Sequence, residues 1–501
     1  MYLIVIGILA IVLALSQPVY DLVKHPGLVM LAVAVATLLP PAVSILLTRR
    51  VLRELDRHPE RPSRGQSVFS RGMLVVQALL AVCHGATLLC TDWLVLCDSV
   101  PVVGRWPLIP GLLAILPFLA SIVLLWLCIY PADRAVRQIA FEMYLFRGKP
   151  LRPVWPLMQY LLYNLRHQVL FVLIPMLLIL ATHDVIVHYH KQIHAATGMP
   201  YATDLLVGSA ALLVAVIAPA ILRRVWVTQR LPDGPLRDRL LFLARRLRLR
   251  FREILVWRSG GLVVNAAVMG IVAPLRYVLI TDAMLEQMDD TKIEAVFGHE
   301  AGHVKRHHIL FFLLFALVSG CAVTIFSIRA RGLARTDHAL YEVMATLLGV
   351  ALMAKWGLLF GWISRRFERQ ADVYGVRTLA ASGLPCSQPC VVHTPAGNPE
   401  KRRKRDALCT TAAEVFGQAL NEVALLNGIR PEARSWRHSS ISSRSRFVQA
   451  LAQDPPRLRR FEQTVLAIQL AILAAAGVST FWAAWDMGIW STLQRWLPGV
   501  G

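Results

Sequence analysis

The chain has 501 residues, 56% of them hydrophobic, a mean hydropathy of +0.53 and a formal net charge of +22. Such apolarity excludes a soluble protein of this length, and runs long enough to cross a bilayer take the place of two or three soluble domains. The surplus of Lys and Arg lies in loops flanking those runs, which points to membrane topology and away from nucleic-acid binding.

Nine spans are expected, near 2–16, 27–48, 72–96, 107–130, 168–190, 203–222, 309–328, 340–363 and 464–486. The first has no basic leader and no cleavage site, and reads as a retained helix. Pro40 and Pro41 predict a kink or an early end in the second. Loop charge sets the orientation. Basic residues crowd the loops after spans two (Arg49 to Arg71) and four (Arg134 to Arg166). The loops after spans one, three and five carry only Lys24, Arg105 and Lys191, which places the N-terminus inside. Arg329, Arg331 and Arg335, after span seven, run against this rule. His84, Asp184 and Lys355 fall inside or beside spans, where a polar group needs a reason; each either lines a wet chamber or snorkels to an interface. Cys83, Cys90, Cys128 and Cys321 read as small apolar core residues.

Residues 1–222 form the N-terminal multi-span region. Residues 223–463 form a membrane-face domain interrupted by spans seven and eight, and 464–501 the last span and tail. Leu240, Leu243 and Leu247 make one apolar face of a basic stretch, Leu236 to Arg252, which either lies on the inner leaflet or packs within the domain. Three strands follow: Ile254 to Trp257, Asn265 to Met269, and Tyr277 to Thr281. The stretch 384–410 is rich in Pro, Ser and basic residues, holds Lys-Arg-Arg-Lys-Arg at 401–405, and reads as a mobile insertion. Within it, Cys386-Ser-Gln-Pro-Cys390 with His393 loosely resembles a metal site, but the spacing is poor beside the tighter pairs of structural zinc sites.

Chemistry concentrates in two strings. His299-Glu-Ala-Gly-His303 puts two imidazoles four apart on one helical face, with Glu300 as the candidate general base. Ser364-Arg-Arg-Phe-Glu-Arg-Gln-Ala-Asp372 offers Glu368 as a third ligand. Two His and one Glu, with a fourth position open, is the catalytic zinc pattern rather than the closed structural one. One zinc ion per chain is expected. Asp372, one turn after Glu368, either accepts a hydrogen bond from a ligand imidazole or pairs with Arg365 or Arg369. His307 and His308 are expected at the membrane interface or near substrate, because a fourth protein ligand would close the site.

Together with Asn265-Ala-Ala-Val-Met-Gly270 and His438-Ser-Ser-Ile-Ser-Ser-Arg444, these strings resemble the integral-membrane zinc metallopeptidases, a family spanning type I CAAX prenyl endopeptidases and HtpX-type quality-control proteases. The match covers roughly 235–450. Ser439 stands where that family usually has Pro. The resemblance implies a mainly α, polytopic helical membrane protein with a small α+β zincin-like (gluzincin) domain on the cytoplasmic side. It implies Zn²⁺, held by His299, His303 and Glu368, and a membrane-associated or lipidated protein or peptide substrate. The membrane is the bacterial inner membrane or the endoplasmic reticulum. His438 and Arg444 either stabilise the oxyanion or form a structural pair. Asn265, Ala266 and Ala267 lie on an edge strand that binds substrate main chain, or on a plain internal strand. A non-enzymatic scaffold on the same frame predicts lost ligands, and none is lost.

Overall fold

A computed structural model describes residues 22–60, 62–99, 108–145, 154–199, 201–261, 263–387, 390, 392–393, 407–433 and 438–489. The span expected at 2–16 and the basic run 401–405 lie outside the described residues. The chain divides into two compact units, Met1–Thr197 with Ala202–Trp226, and Gly198–Tyr201 with Val227–Gly501. Eight helices among the described residues are long and apolar enough to cross a membrane, matching the eight expected spans after the first. In lipid every backbone polar group must be satisfied within the segment, so apolar runs of this length close as helices.

The first unit holds α1 (Pro26–Arg57), α2 (Pro62–Cys90), α3 (Leu108–Leu145), α4 (Leu157–His188, with a π-helical turn at Leu165–Leu170) and α5 (Ala202–Val225). α1 passes through Pro40 and Pro41 to Arg57, against the expected early end; both prolines are buried, and the Ser44 hydroxyl donates to the Pro41 carbonyl. Thr48 donates to the Cys128 carbonyl at 2.8 Å, joining α1 to α3. His84 is buried and stacked on Phe118, so it neither snorkels nor lies open.

The second unit opens with a four-stranded sheet: β1 (Thr228–Arg230), β2 (Glu253–Trp257), β3 (Ala266–Met269) and β4 (Tyr277–Thr281), in the order β1-β2-β4-β3. β2 and β4 are parallel, and the two outer strands run antiparallel to their neighbours. β4 is buried along its whole length, as its unbroken apolar run predicts, and β3 is an edge strand. α6 (Pro235–Arg246) buries Leu240 and Leu243 within the unit, which favours the packing helix over the leaflet helix.

α7 (Asp290–Lys305) begins at an Asp289 cap, whose carboxylate accepts from the Lys292 N–H at 2.9 Å. It stops at His307, held at φ +56°, and α8 (His308–Arg329) starts afresh. α9 (His338–Ala354) continues through a π-helical turn at Lys355–Phe360 into α10 (Gly361–Ala381). α11 (Thr410–Leu426), α12 (Ile441–Gln453) and α13 (Pro455–Asp486) complete the unit. Phe311, Phe315, Ile363, Phe367, Val465 and Ile472 form one core joining α8, α10 and α13. Lys355 is satisfied by the Phe315 carbonyl at 2.7 Å and the Ser319 hydroxyl at 2.6 Å. Arg329, one of the charges that ran against the loop rule, pairs with Asp486 at 2.7 Å.

α7 and α10 meet at a glycine seam. A Cβ on Gly302 would lie 3.0 Å from the Ala371 Cα, and one on Gly298 2.7 Å from the Thr378 Cβ. Gly302→Ala gains up to about 1 kcal/mol of helix propensity but overpacks against backbone, a cost of about 1–3 kcal/mol. The expected net result is a lower unfolding temperature in detergent; an unchanged or raised one would show that the seam has slack.

Candidate metal centre

Three helices bring the candidate residues together. α7 presents His299 and His303 on one face, α10 presents Glu368 and Asp372 one turn apart, and α12 supplies Arg444, with His438 just before it. One ligand atom from each of His299, His303 and Glu368 lies within 4.8 Å of the other two. The two Nε2 atoms are 3.3 Å apart, and each is 3.7 Å from a Glu368 oxygen.

Hydrogen bonds at the far side of each ring decide what those Nε2 atoms carry. His299 Nδ1 faces Asp372 Oδ1 at 2.9 Å; a carboxylate only accepts, so this nitrogen holds a proton, and the neutral ring has its lone pair on Nε2. His308 Nε2 donates to Gln370 Oε1 at 2.9 Å, which leaves its Nδ1 as an acceptor. His303 Nδ1, 2.9 Å away, therefore donates to it, and His303 Nε2 is bare as well. Two lone pairs and a carboxylate converge on one point. Tetrahedral Zn–N bonds of 2.0–2.1 Å imply an N···N edge of about 3.3–3.4 Å, so the residues fit a zinc ion.

Around this core the charges are closely matched. Arg444 is buried and makes a fork with Asp372, 2.9 Å from Nε to Oδ2 and 2.5 Å from Nη2 to Oδ1, and its Nη1 lies 3.6 Å from Glu368. Burial would depress the His299 imidazole, but Asp372 outweighs it and holds the pKa above the ordinary value. Desolvation, then the charge of His299, push His303 well below its ordinary value. Burial raises the Glu300 carboxyl above the usual range. The half-exposed His438 sets Nδ1 3.1 Å from Glu368 Oε2.

Glu300 faces the sheet rather than Glu368. The Val268 N–H donates to its Oε2 at 3.1 Å. In β3 the Thr281 N–H donates to the Asn265 carbonyl, so hydrogen-bonded pairing with β4 falls on Asn265 and Ala267. Of the three residues expected to meet substrate, Asn265 and Ala267 thus turn their main chain inward. Ala266, with Val268, turns it to the outer edge of the sheet beside Glu300.

His308 departs from its expected place. It is fully buried and stacked on Phe367 at 4.4 Å, with ring planes 5° apart, while His307 is exposed at the helix break. Its hold on His303 through Gln370 was not foreseen. Gln370 stands inside the second string, two residues after Glu368, and only the packing of α8 on α10 reveals its partner.

Residues 232–463 match the model of peptidase family M48. No curated protein matches the chain. Among solved structures, the chain is similar to the crystal structure of S. mikatae Ste24p, at 13% identity over 85% of this chain and 99% of that one, with a TM-score of 0.47.

Proposed function

We propose that this multi-pass membrane protein, whose residues 232–463 match the model of peptidase family M48, is a zinc metalloendopeptidase acting on membrane-associated or lipidated proteins. The observation that carries the reading is the convergence of two imidazole nitrogens and Glu368, with Glu300, next to His299 in the chain, accepting from the Val268 N–H of the outer strand.

In this reading 223–463 is the peptidase domain, and His299, His303 and Glu368 hold one zinc. When bound, the ion polarises the scissile carbonyl and lowers the pKa of water toward about 7. Glu300 takes the proton from the attacking water and returns it to the leaving amine; its raised pKa suits both transfers. The Val268 N–H fixes the carboxylate that does this. Ala266, on the outer strand of the sheet, hydrogen-bonds the substrate main chain by strand addition. Asp372 orients His299, and His308 with Gln370 orients His303. Arg444 is a positioning residue, engaged by Asp372 and Glu368. His438, half-exposed beside Glu368, is the group placed to meet the substrate. The loop charges support a site on the cytoplasmic face, and the membrane in this reading is the bacterial inner membrane or the endoplasmic reticulum.

Two substrate classes share this chemistry. The spans ahead of the metal helix favour processing of lipidated C-termini; degradation of unassembled membrane proteins is the second reading. Protein in liposomes is expected to cleave a farnesylated CAAX peptide faster than an unfolded membrane protein. A zinc chelator should abolish cleavage, and added zinc should restore it. The reverse preference selects the second class, and cleavage indifferent to the chelator would reject the zinc mechanism.

A further inference from the structure

We propose that Cys386, Cys390, His393 and Cys409 bind a second zinc ion, in a closed site whose role is structural. The sequence spacing argued against a site, being poor beside the tighter pairs of structural zinc sites, and it offered three donors. The fold supplies the fourth. Cys409, sixteen residues after His393, is the cap residue of α11, and its Sγ lies 3.5 Å from that of Cys386.

The four donor atoms all lie within 4.8 Å of one another. Cys386 Sγ is 3.4 Å from Cys390 Sγ and 2.8 Å from His393 Nδ1, and Cys390 Sγ is 3.3 Å from that nitrogen. A tetrahedral zinc with Zn–S of about 2.3 Å and Zn–N of about 2.0–2.1 Å has S···S and S···N edges of roughly 3.8 and 3.6 Å. The observed edges are shorter by under 1 Å, so small outward movements of side chains admit the ion. None of the three cysteines is in a disulfide.

The surroundings prepare these atoms as ligands. His393 Nε2 donates to the Ala380 carbonyl at 2.7 Å, so Nδ1 carries the lone pair aimed at the thiols. The Ala412 N–H points at Cys409 Sγ from 3.5 Å. Three thiolates and one imidazole make a soft, complete donor set with no position left for substrate, which is the structural class of zinc site.

Placement explains the use of such a clip. It ties the chain leaving α10, which carries Glu368 and Asp372, to the start of α11. Phe416 of α11 packs beneath His299, their ring centroids 6.4 Å apart. The clip thereby fastens α10 to α11 across the fifteen residues between His393 and Cys409.

The test is zinc content of the full chain, purified in detergent under reducing conditions. Wild type is expected to hold two equivalents, the double variant Cys386→Ser/Cys390→Ser one, and His299→Ala/His303→Ala one. Should the cysteine variant fail to fold, cobalt-loaded wild type decides, because thiolate-to-cobalt charge transfer gives an intense band that His and Glu ligands do not. The band should survive His299→Ala/His303→Ala. One equivalent in wild type with no such band would overturn the proposal, as would a disulfide among the three cysteines in reduced protein.

Discussion

Glu300→Gln is expected to lower kcat by on the order of 10²–10⁴-fold while zinc content stays at the wild-type level. Gln keeps the shape of the side chain, and its carbonyl still accepts from the Val268 N–H, so the edge strand and α7 should not move. What is lost is the ability to take a proton. Peptide cleavage measured beside metal content separates this from a binding defect. A variant that cuts at wild-type speed would place the base elsewhere; His438, half-exposed beside Glu368, would then be the first residue to substitute.

Arg444→Met is expected to cost about 3–5 kcal/mol of stability and to weaken zinc binding by roughly 10–100-fold. The guanidinium is the countercharge for Asp372, which is 0% exposed, and lies 3.6 Å from Glu368. A methionine of similar length fills the space but leaves two buried carboxylates facing each other. It also releases the carboxylate that holds His299. Arg444→Lys should fall between, because a point charge cannot reproduce the fork to both Asp372 oxygens. Thermal unfolding with and without zinc, and chelator competition, read the two effects apart. Wild-type stability in Arg444→Met would mean that water or another cation replaces the guanidinium.

The membrane helices were legible because their signal is local: a run of apolar residues announces itself whatever lies elsewhere. The same holds for β2, β3 and β4, and for the pairing of His299 with His303, which only requires a helix. β1 was not read, since three polar residues, Thr228 to Arg230, carry no alternation and form a strand only because β2 offers an edge. Glu368 and Asp372 were found because they recur in a recognisable string. Their partners were harder. Arg444 was expected on the oxyanion or in a plain structural pair, and its commitment to Asp372 follows from α12 crossing α10, 72 residues away in sequence. His308 could be seen as a histidine but not as the partner of His303, because that depends on a break at His307 and on Gln370. Cys409 was invisible as a ligand for the same reason: proximity over long sequence distance is made by packing.

The dispersal of the site along the chain has a consequence for biogenesis. The histidines are translated first, but Glu368 follows only after two more membrane passages, and Arg444 later still. A ribosome-bound chain, or one whose α8 and α9 have failed to insert, has an incomplete set of ligands beside an unpaired Asp372. Under the proposed function, proteolytic competence arrives with correct insertion.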